Sequence, residues 1–180
     1  MSSFYTQEEV EMLGFKKIGK SNLISRFAQF YGIEHMSIGS HVRIDDFCIL
    51  SGNITLGSHI HVSAYCALYG SMGIEMEDYT GLSPRCSVFS ASDDFSGDFL
   101  ISPMVEKSKT NVTGGKVLIK KYSQIGAHTV ILPNLQIEEG VAVGAMSLIN
   151  KSLDSWCVYA GVPVKKIKDR KKGLLKLING

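Results

Sequence analysis

The sequence predicts an all-β chain wound as a parallel β-helix, a triangular prism of short strands, and three observations carry that prediction. Ile119, Ile125, Ile131, Ile137, Val143 and Ile149 fall at intervals of six without a miss. A helix turning about 100° per residue would scatter such a step over three faces, whereas extended chain keeps every sixth residue on one side. Each hexad is therefore a short strand with one inward aliphatic and a bend, and three hexads close one coil. The same register runs earlier through Ile38, Ile44, Leu50, Leu56, Val62, Leu68 and Ile74, resumes at Met76, Leu82 and Val88, and is preceded by Ile18, Ile24, Phe30 and Met36. Four residues after the inward aliphatic stands a small or apolar side chain in most hexads, among them Val42, Cys48, Cys66, Thr80, Cys86, Ser123, Thr129 and Ser147, as the corners of a narrow prism require.

The chain has 180 residues, 44% apolar and 20% charged, which is ordinary for one globular domain. It holds no apolar run long enough to span a bilayer and no signal-like start, so a cytoplasmic protein is expected. A net charge of +2 argues against a nucleic-acid partner. Cys48, Cys66, Cys86 and Cys157 have no CxxC spacing and read as buried thiols.

In chain order, residues 1–17 are expected to cap the first coil through a short helix, Thr6 to Leu13, with Thr6 as N-cap and Gly14 as stop. A solenoid end exposes unpaired edges, so a cap is physically required. Residues 18–164 form the β-helix, with corner insertions at the register slips before Ile38 and Met76. His41, His59 and His128 occupy equivalent corner positions, where positive φ is tolerated by Asn, Asp and His. No metal is expected, since the stacked His41 and His59 lack a third ligand. His61 directly precedes an inward Val and must project outward, with Ser63 and Tyr65 read on the same side. The hexads stop over residues 90–116, a Ser-, Asp- and Gly-rich excursion, and a loop this long inside a compact domain is usually functional. The segment Ala160-Gly161-Val162-Pro163 then leads into a basic tail containing Lys165 and Lys168, suited to a phosphate-bearing ligand.

These hexads, the excursion and the Ala-Gly-Val-Pro ending resemble the bacterial hexapeptide-repeat acyltransferases, especially the galactoside and maltose O-acetyltransferases and their relatives in surface-polysaccharide gene clusters. The resemblance implies a left-handed β-helix of roughly six coils, a hand opposite to the usual crossover rule, closed by a C-terminal helix over 165–180. It also implies a homotrimer with clefts between subunits, and acetyl coenzyme A held along Gly126, Gly144, Ala145, Ser147, Lys151, Ala160, Lys165 and Lys168. The backbone N–H of Ala127 matches the family's oxyanion donor.

At the family's catalytic histidine this chain carries Asp93, and an ordinary aspartate is a weak base at neutral pH. Three readings stay open. Asp93 or Asp94 orients a histidine from elsewhere, His61 first and His128 second, with Ser63, Tyr65 and Ser92 around the acceptor; His61 and Asp93 fall on different prism faces of one subunit, so their pairing would form across the trimer interface. Alternatively the acceptor is the amine of a nucleotide-linked amino sugar, or catalysis has been lost and binding kept. The expected activity is transfer of acetyl to a sugar hydroxyl. A carbonic-anhydrase-like or purely structural β-helix is the other class, and fold alone does not decide between them.

Overall fold

The computed structural model describes residues 3–178, so the outermost residues of both expected caps lie outside it. Short parallel strands wind into a left-handed triangular prism of about seven turns. The first face stacks Leu23–Ile24, Arg43–Ile44, His61–Val62, Gly81–Leu82, Gln124–Ile125, Ala142–Val143 and Cys157–Ala160 in that order. The second face is built from Gln29–Tyr31, the leading halves of Ile49–Leu56 and Ala67–Met76, then Ser87–Phe89, Val130–Ile131 and Leu148–Ile149. Lys17–Ile18, Ser37–Ile38, the trailing halves of the same two long strands, Val117–Ile119 and Gln136–Ile137 make the third.

The period-six aliphatics fill the interior. Ile24, Ile44, Leu50, Val62, Leu68, Val88, Ile119, Ile125, Ile131, Ile137 and Ile149 are all fully buried, and the corner residues Cys48, Cys66, Cys86, Ser123, Thr129 and Ser147 are buried between them. Registers such as Ile44↔Val62 and Ile125↔Val143 place like on like in successive turns. The four cysteines are free and buried, and burial pushes the Cys48 thiol up to about 11.

Corners are where this chain departs from a glycine-built turn. His41, His59, Tyr79, Tyr122 and Trp156 all take positive φ between the third and first faces, and Phe47, Tyr65, Arg85, His128 and Met146 do so between the first and second. Their rings stack into ladders: His41 on His59 at 4.8 Å, His59 on Tyr79 at 4.6 Å, Phe47 on Tyr65 at 5.0 Å. Left-handed backbone costs a non-glycine residue roughly 1–3 kcal/mol, and a stacked pair returns roughly 0.5–1.5 kcal/mol.

Both ends are covered. Helix α1, Gln7–Met12, has the expected Thr6 N-cap, closed with Glu9 into a capping box, and inserts the fully buried Val10 into the first coil. The expected C-terminal helix is absent among the described residues. Instead Lys165–Asp169 is a strand that pairs antiparallel with Cys157–Ala160, and only a 3₁₀ turn follows at Gly173–Leu177. The last rung offers a row of unpaired N–H and C=O groups, and pairing with it outweighs the helical tendency of a lysine-rich segment. Arg170 pins the tail, its Nη1 donating to the carbonyls of Tyr122, Gly140 and Val141 at 2.7, 3.1 and 3.3 Å.

The excursion leaves after Phe89 and returns at Val117 without disturbing the stack, since Val117–Ile119 pairs directly with Ile74, Glu75 and Met76. Its base is closed by Ala91–Ser92 pairing antiparallel with Thr113–Gly114.

Candidate active site

On the first face, Nε2 of His61 lies 2.8 Å from Oδ2 of Asp45, whose other oxygen accepts from Arg43 Nε at 2.6 Å. Burial alone would push the Asp45 carboxyl up, but the hydrogen bonds from Arg43 and His61 overcome it and hold the group below its ordinary value. Within one chain, then, the carboxylate that orients His61 is Asp45, not Asp93 or Asp94. The register made it findable, because Arg43 and His61 are direct neighbours on adjacent turns and Asp45 stands only two residues after Arg43. Arg43 and His61 line a shallow groove with His59, Tyr79 and Gln124.

Ser63 and Tyr65 do not share that surface. The strand is only two residues long, so alternation ends at Val62 and both residues belong to the next corner. Ser63 is buried, and Tyr65 turns outward at positive φ, stacked on Phe47 with the Arg85 guanidinium 5.1 Å from its ring centroid.

Farther along this corner Ser83 and Ala127 stand on consecutive turns, since Leu82 is paired with Ile125. Ser83 Oγ accepts from Gln124 Nε2 at 3.2 Å. The N–H groups of Ala127 and, one turn on, Ala145 have no acceptor among the described residues, whereas Met146 N–H donates to the Ala127 carbonyl at 2.7 Å. The His128 ring is exposed at the same corner, and its N–H donates to Pro84 O at 3.0 Å. Ser83 was not singled out by sequence reasoning, although its place beneath Gly126 follows from the hexad register.

Asp93 and Asp94 behave differently from each other. Asp94 Oδ1 accepts from Ser96 Oγ at 2.6 Å, Ser96 N–H at 2.9 Å and Gly97 N–H at 3.2 Å, which holds its carboxyl below the ordinary range. Its lone pairs are committed to shaping the loop, so it is poorly placed to act as a base. Asp93 is exposed, and its carboxylate has no hydrogen-bond or ionic partner among the described residues. It lies between two pockets on the second face. One, of about 390 Å³, is apolar and walled by Phe89, Phe95, Val112, Leu132 and Pro133. The other, of about 610 Å³, is lined by Ser51, Tyr69, Ser71, Ser102 and Thr110. Ser92 Oγ is turned back onto the Asp93 carbonyl at 3.1 Å. No contact joins Asp93 to His61, His128, Ser83 or Ala127 within the chain.

The segment matched to the acyl donor divides in two. A Cβ at Gly126 would lie 2.5 Å from Ala145 N, so that glycine answers to the stacking of turns. Ser147 is buried, donating to Gly144 O at 2.7 Å and accepting from Gly161 N–H at 3.1 Å, and its side chain is closed to a ligand. Gly144 packs against Ala160, where a Cβ would come within 3.0 Å of the Ala160 Cβ. In the exposed remainder, the N–H groups of Ala127 and Ala145 are without an acceptor, and Lys151, Lys165 and Lys168 are cations without an ionic partner among the described residues. Lys165 and Lys168 stand opposite Ala160 and Val158 on the terminal hairpin.

No protein-family profile matches the chain. It is 35% identical over 178 residues, 97% of its length and 93% of the relative's, to the dTDP-4-amino-4,6-dideoxy-D-glucose acyltransferase of Escherichia coli. Among solved structures it superposes on AntD, an N-acyltransferase from Bacillus cereus in complex with dTDP and 3-hydroxybutyryl-CoA, with a TM-score of 0.96 and 53% identity, covering 99% of this chain and 96% of that one. Solved forms of AntD include substitutions at a serine and at an aspartate ten residues later. A maltose O-acetyltransferase from Clostridium difficile, 19% identical with a TM-score of 0.62 over 92% of this chain and 75% of its own, shares the fold.

Proposed function

This chain belongs to the sugar acyltransferases of the hexapeptide-repeat type, and from that premise we propose that it acylates the amine of a nucleotide-linked amino sugar at the expense of a coenzyme A thioester. This replaces the expected sugar hydroxyl with the amine alternative. The observation that carries it is Asp93, an exposed carboxylate without a partner, standing where hydroxyl-acylating relatives are expected to hold a histidine. A hydroxyl must lose a proton of very high pKa as it attacks, which calls for a strong base. An amine needs only to be held with its lone pair free, and a carboxylate suits that task because it also binds the ammonium form.

The assignment of Ser83 rests on spacing. Ser83 and Asp93 are the one serine–aspartate pair in this sequence with the separation found between the substituted residues of AntD. Ser83, steadied by Gln124, retains its own O–H and a lone pair for the acceptor. Ala127, one turn beyond, aims a free N–H where charge develops on the thioester oxygen. Lys165 and Lys168 answer to the donor's phosphates. The donor supplies an activated acyl carbon: the nitrogen–carbon bond forms, the carbon–sulfur bond breaks, and the proton lost by nitrogen passes to the departing thiolate, which leaves as the free thiol.

The Ser83–Ala127 corner and the Asp93 pockets flank opposite edges of the second face, so a cleft between two copies brings them together, and we assign the working unit as a homotrimer acting in the cytoplasm. Release of coenzyme A thiol is the test, with dTDP-4-amino-4,6-dideoxyglucose against dTDP-glucose as acceptor. Thiol release is expected with the amino sugar alone, and Asp93→Asn should lower kcat/KM by about 100-fold or more. Mixing Asp93→Asn with Ser83→Ala chains should restore part of the activity that each lacks. Turnover of dTDP-glucose in preference would return the acceptor to a hydroxyl.

A further inference from the structure

Behind the corner that carries Ser83 and Ala127 runs a column of buried polar side chains, Cys48, Cys66, Cys86, Thr129 and Ser147, each following a residue of positive φ. Four of them donate to a main-chain carbonyl one turn on: Cys48 Sγ to Ser63 O at 3.1 Å, Cys66 Sγ to Ser83 O at 3.2 Å, Cys86 Sγ to Gly126 O at 3.2 Å and Thr129 Oγ1 to Gly144 O at 3.4 Å. Burial disfavours a thiolate here, so the thiols keep their protons and donate. A trans peptide sets its C=O and N–H in opposite directions, and the one cis bond among the described residues precedes Pro163. The Gly126 carbonyl is aimed inward at the Cys86 thiol. The Ala127 N–H, which belongs to the same peptide, is therefore aimed away from the interior.

Resting on the acyl-transfer reading above, we infer that Cys86 is a positioning residue for that reaction: bonded to the Gly126 carbonyl from inside the prism, it holds the Ala127 N–H toward the thioester oxygen. The peptides on either side are pinned by the main chain, since Gly126 N–H donates to Val143 O at 2.8 Å and Ala127 O accepts from Met146 N–H at 2.7 Å. The peptide between them has no such bond. Its N–H is without an acceptor, and its carbonyl accepts from Cys86 alone among the described residues. Glycine at position 126 leaves its rotation least restricted, so the thiol supplies the orientation that a side chain would not. A donor on the carbonyl also polarises the N–H at the far end of the peptide. Neighbouring turns differ in an instructive way. The Gly144 carbonyl is held by two hydroxyls, Ser147 Oγ at 2.7 Å and Thr129 Oγ1, whereas the Ser83 carbonyl precedes Pro84, which has no N–H to aim.

The experiment compares Cys86→Thr with Cys86→Val, which have the same shape and differ in whether a donor is present. Corners of this prism accept both types, at Thr129 and Val42, so each variant is expected to fold. Single-turnover transfer from acetyl-CoA to dTDP-4-amino-4,6-dideoxyglucose is measured with both substrates saturating, together with KM for the donor. Cys86→Thr should stay within about twofold of native, and Cys86→Val should be roughly tenfold slower with KM unchanged, part of the roughly 100-fold that loss of a whole oxyanion donor costs. Cys48→Val, which removes a thiol at the same corner two turns away, should leave the rate as it is. Equal rates for Cys86→Thr and Cys86→Val, a deficit confined to KM, or a matching loss in Cys48→Val would overturn the role of Cys86 while leaving acyl transfer standing. No transfer by the native chain would remove both this inference and the function it rests on.

Discussion

At the scale of single residues, the Arg43–Asp45–His61 cluster shows how a side chain can be shielded yet paired. Asp45 keeps only 15% of its side chain exposed but bonds two half-exposed side chains, so its carboxyl titrates below its usual range. A group with a depressed folded-state pKa stabilises above its unfolded value and loses that contribution as pH falls through the folded one. Asp45→Asn is therefore expected to cost about 1–2 kcal/mol at pH 7, discounted for the exposure of its partners, and less at pH 3. Urea unfolding at both values checks this, and an equal deficit at each would refute the pairing. The same cluster marks a limit of sequence reasoning. His61 was visible as an outward histidine, but the residue that orients it sits a coil away and is revealed only when turns are laid upon one another.

At the scale of elements, the C-terminal hairpin rather than a helix closes the prism. Its basic composition was legible and its conformation was not, because local propensity favours a helix while the choice is made by the unpaired edge it meets. Arg170 ties this element to three main-chain carbonyls of the preceding turns. Arg170→Met is expected to cost about 2–3 kcal/mol, since charged hydrogen bonds are lost and partly buried acceptors are left unmet. A falling urea midpoint would register it, and hydrogen exchange should speed first at Cys157–Ala160. An unaltered midpoint would mean that strand pairing alone holds the tail.

At the scale of the whole molecule, the interior was the most legible part, since one buried aliphatic every six residues is a one-dimensional pattern that needs no tertiary knowledge. The site was less so. Asp93 announced itself by standing where a histidine was expected, but the pockets flanking it depend on how residues 90–116 fold over the second face, and their walls come from positions with no shared spacing. Replacing residues 93–111 by a short turn between Ser92 and Val112 is expected to leave the fold intact, with circular dichroism unchanged, while abolishing acceptor-dependent thiol release. Loss of the β signal would show that the excursion also supports the prism.

That outcome follows from the way the chain departs and returns. Strand pairing between Ala91–Ser92 and Thr113–Gly114 fixes the ends of the excursion, and the turns on either side remain in direct register. Closing a loop between fixed ends costs only in proportion to the logarithm of its length, so each doubling adds about 0.6 kcal/mol. Recognition can thus be rewritten in length and composition at one corner while the scaffold carrying the donor is left alone, which makes this a place where new acceptor preferences arise by exchange of a single segment.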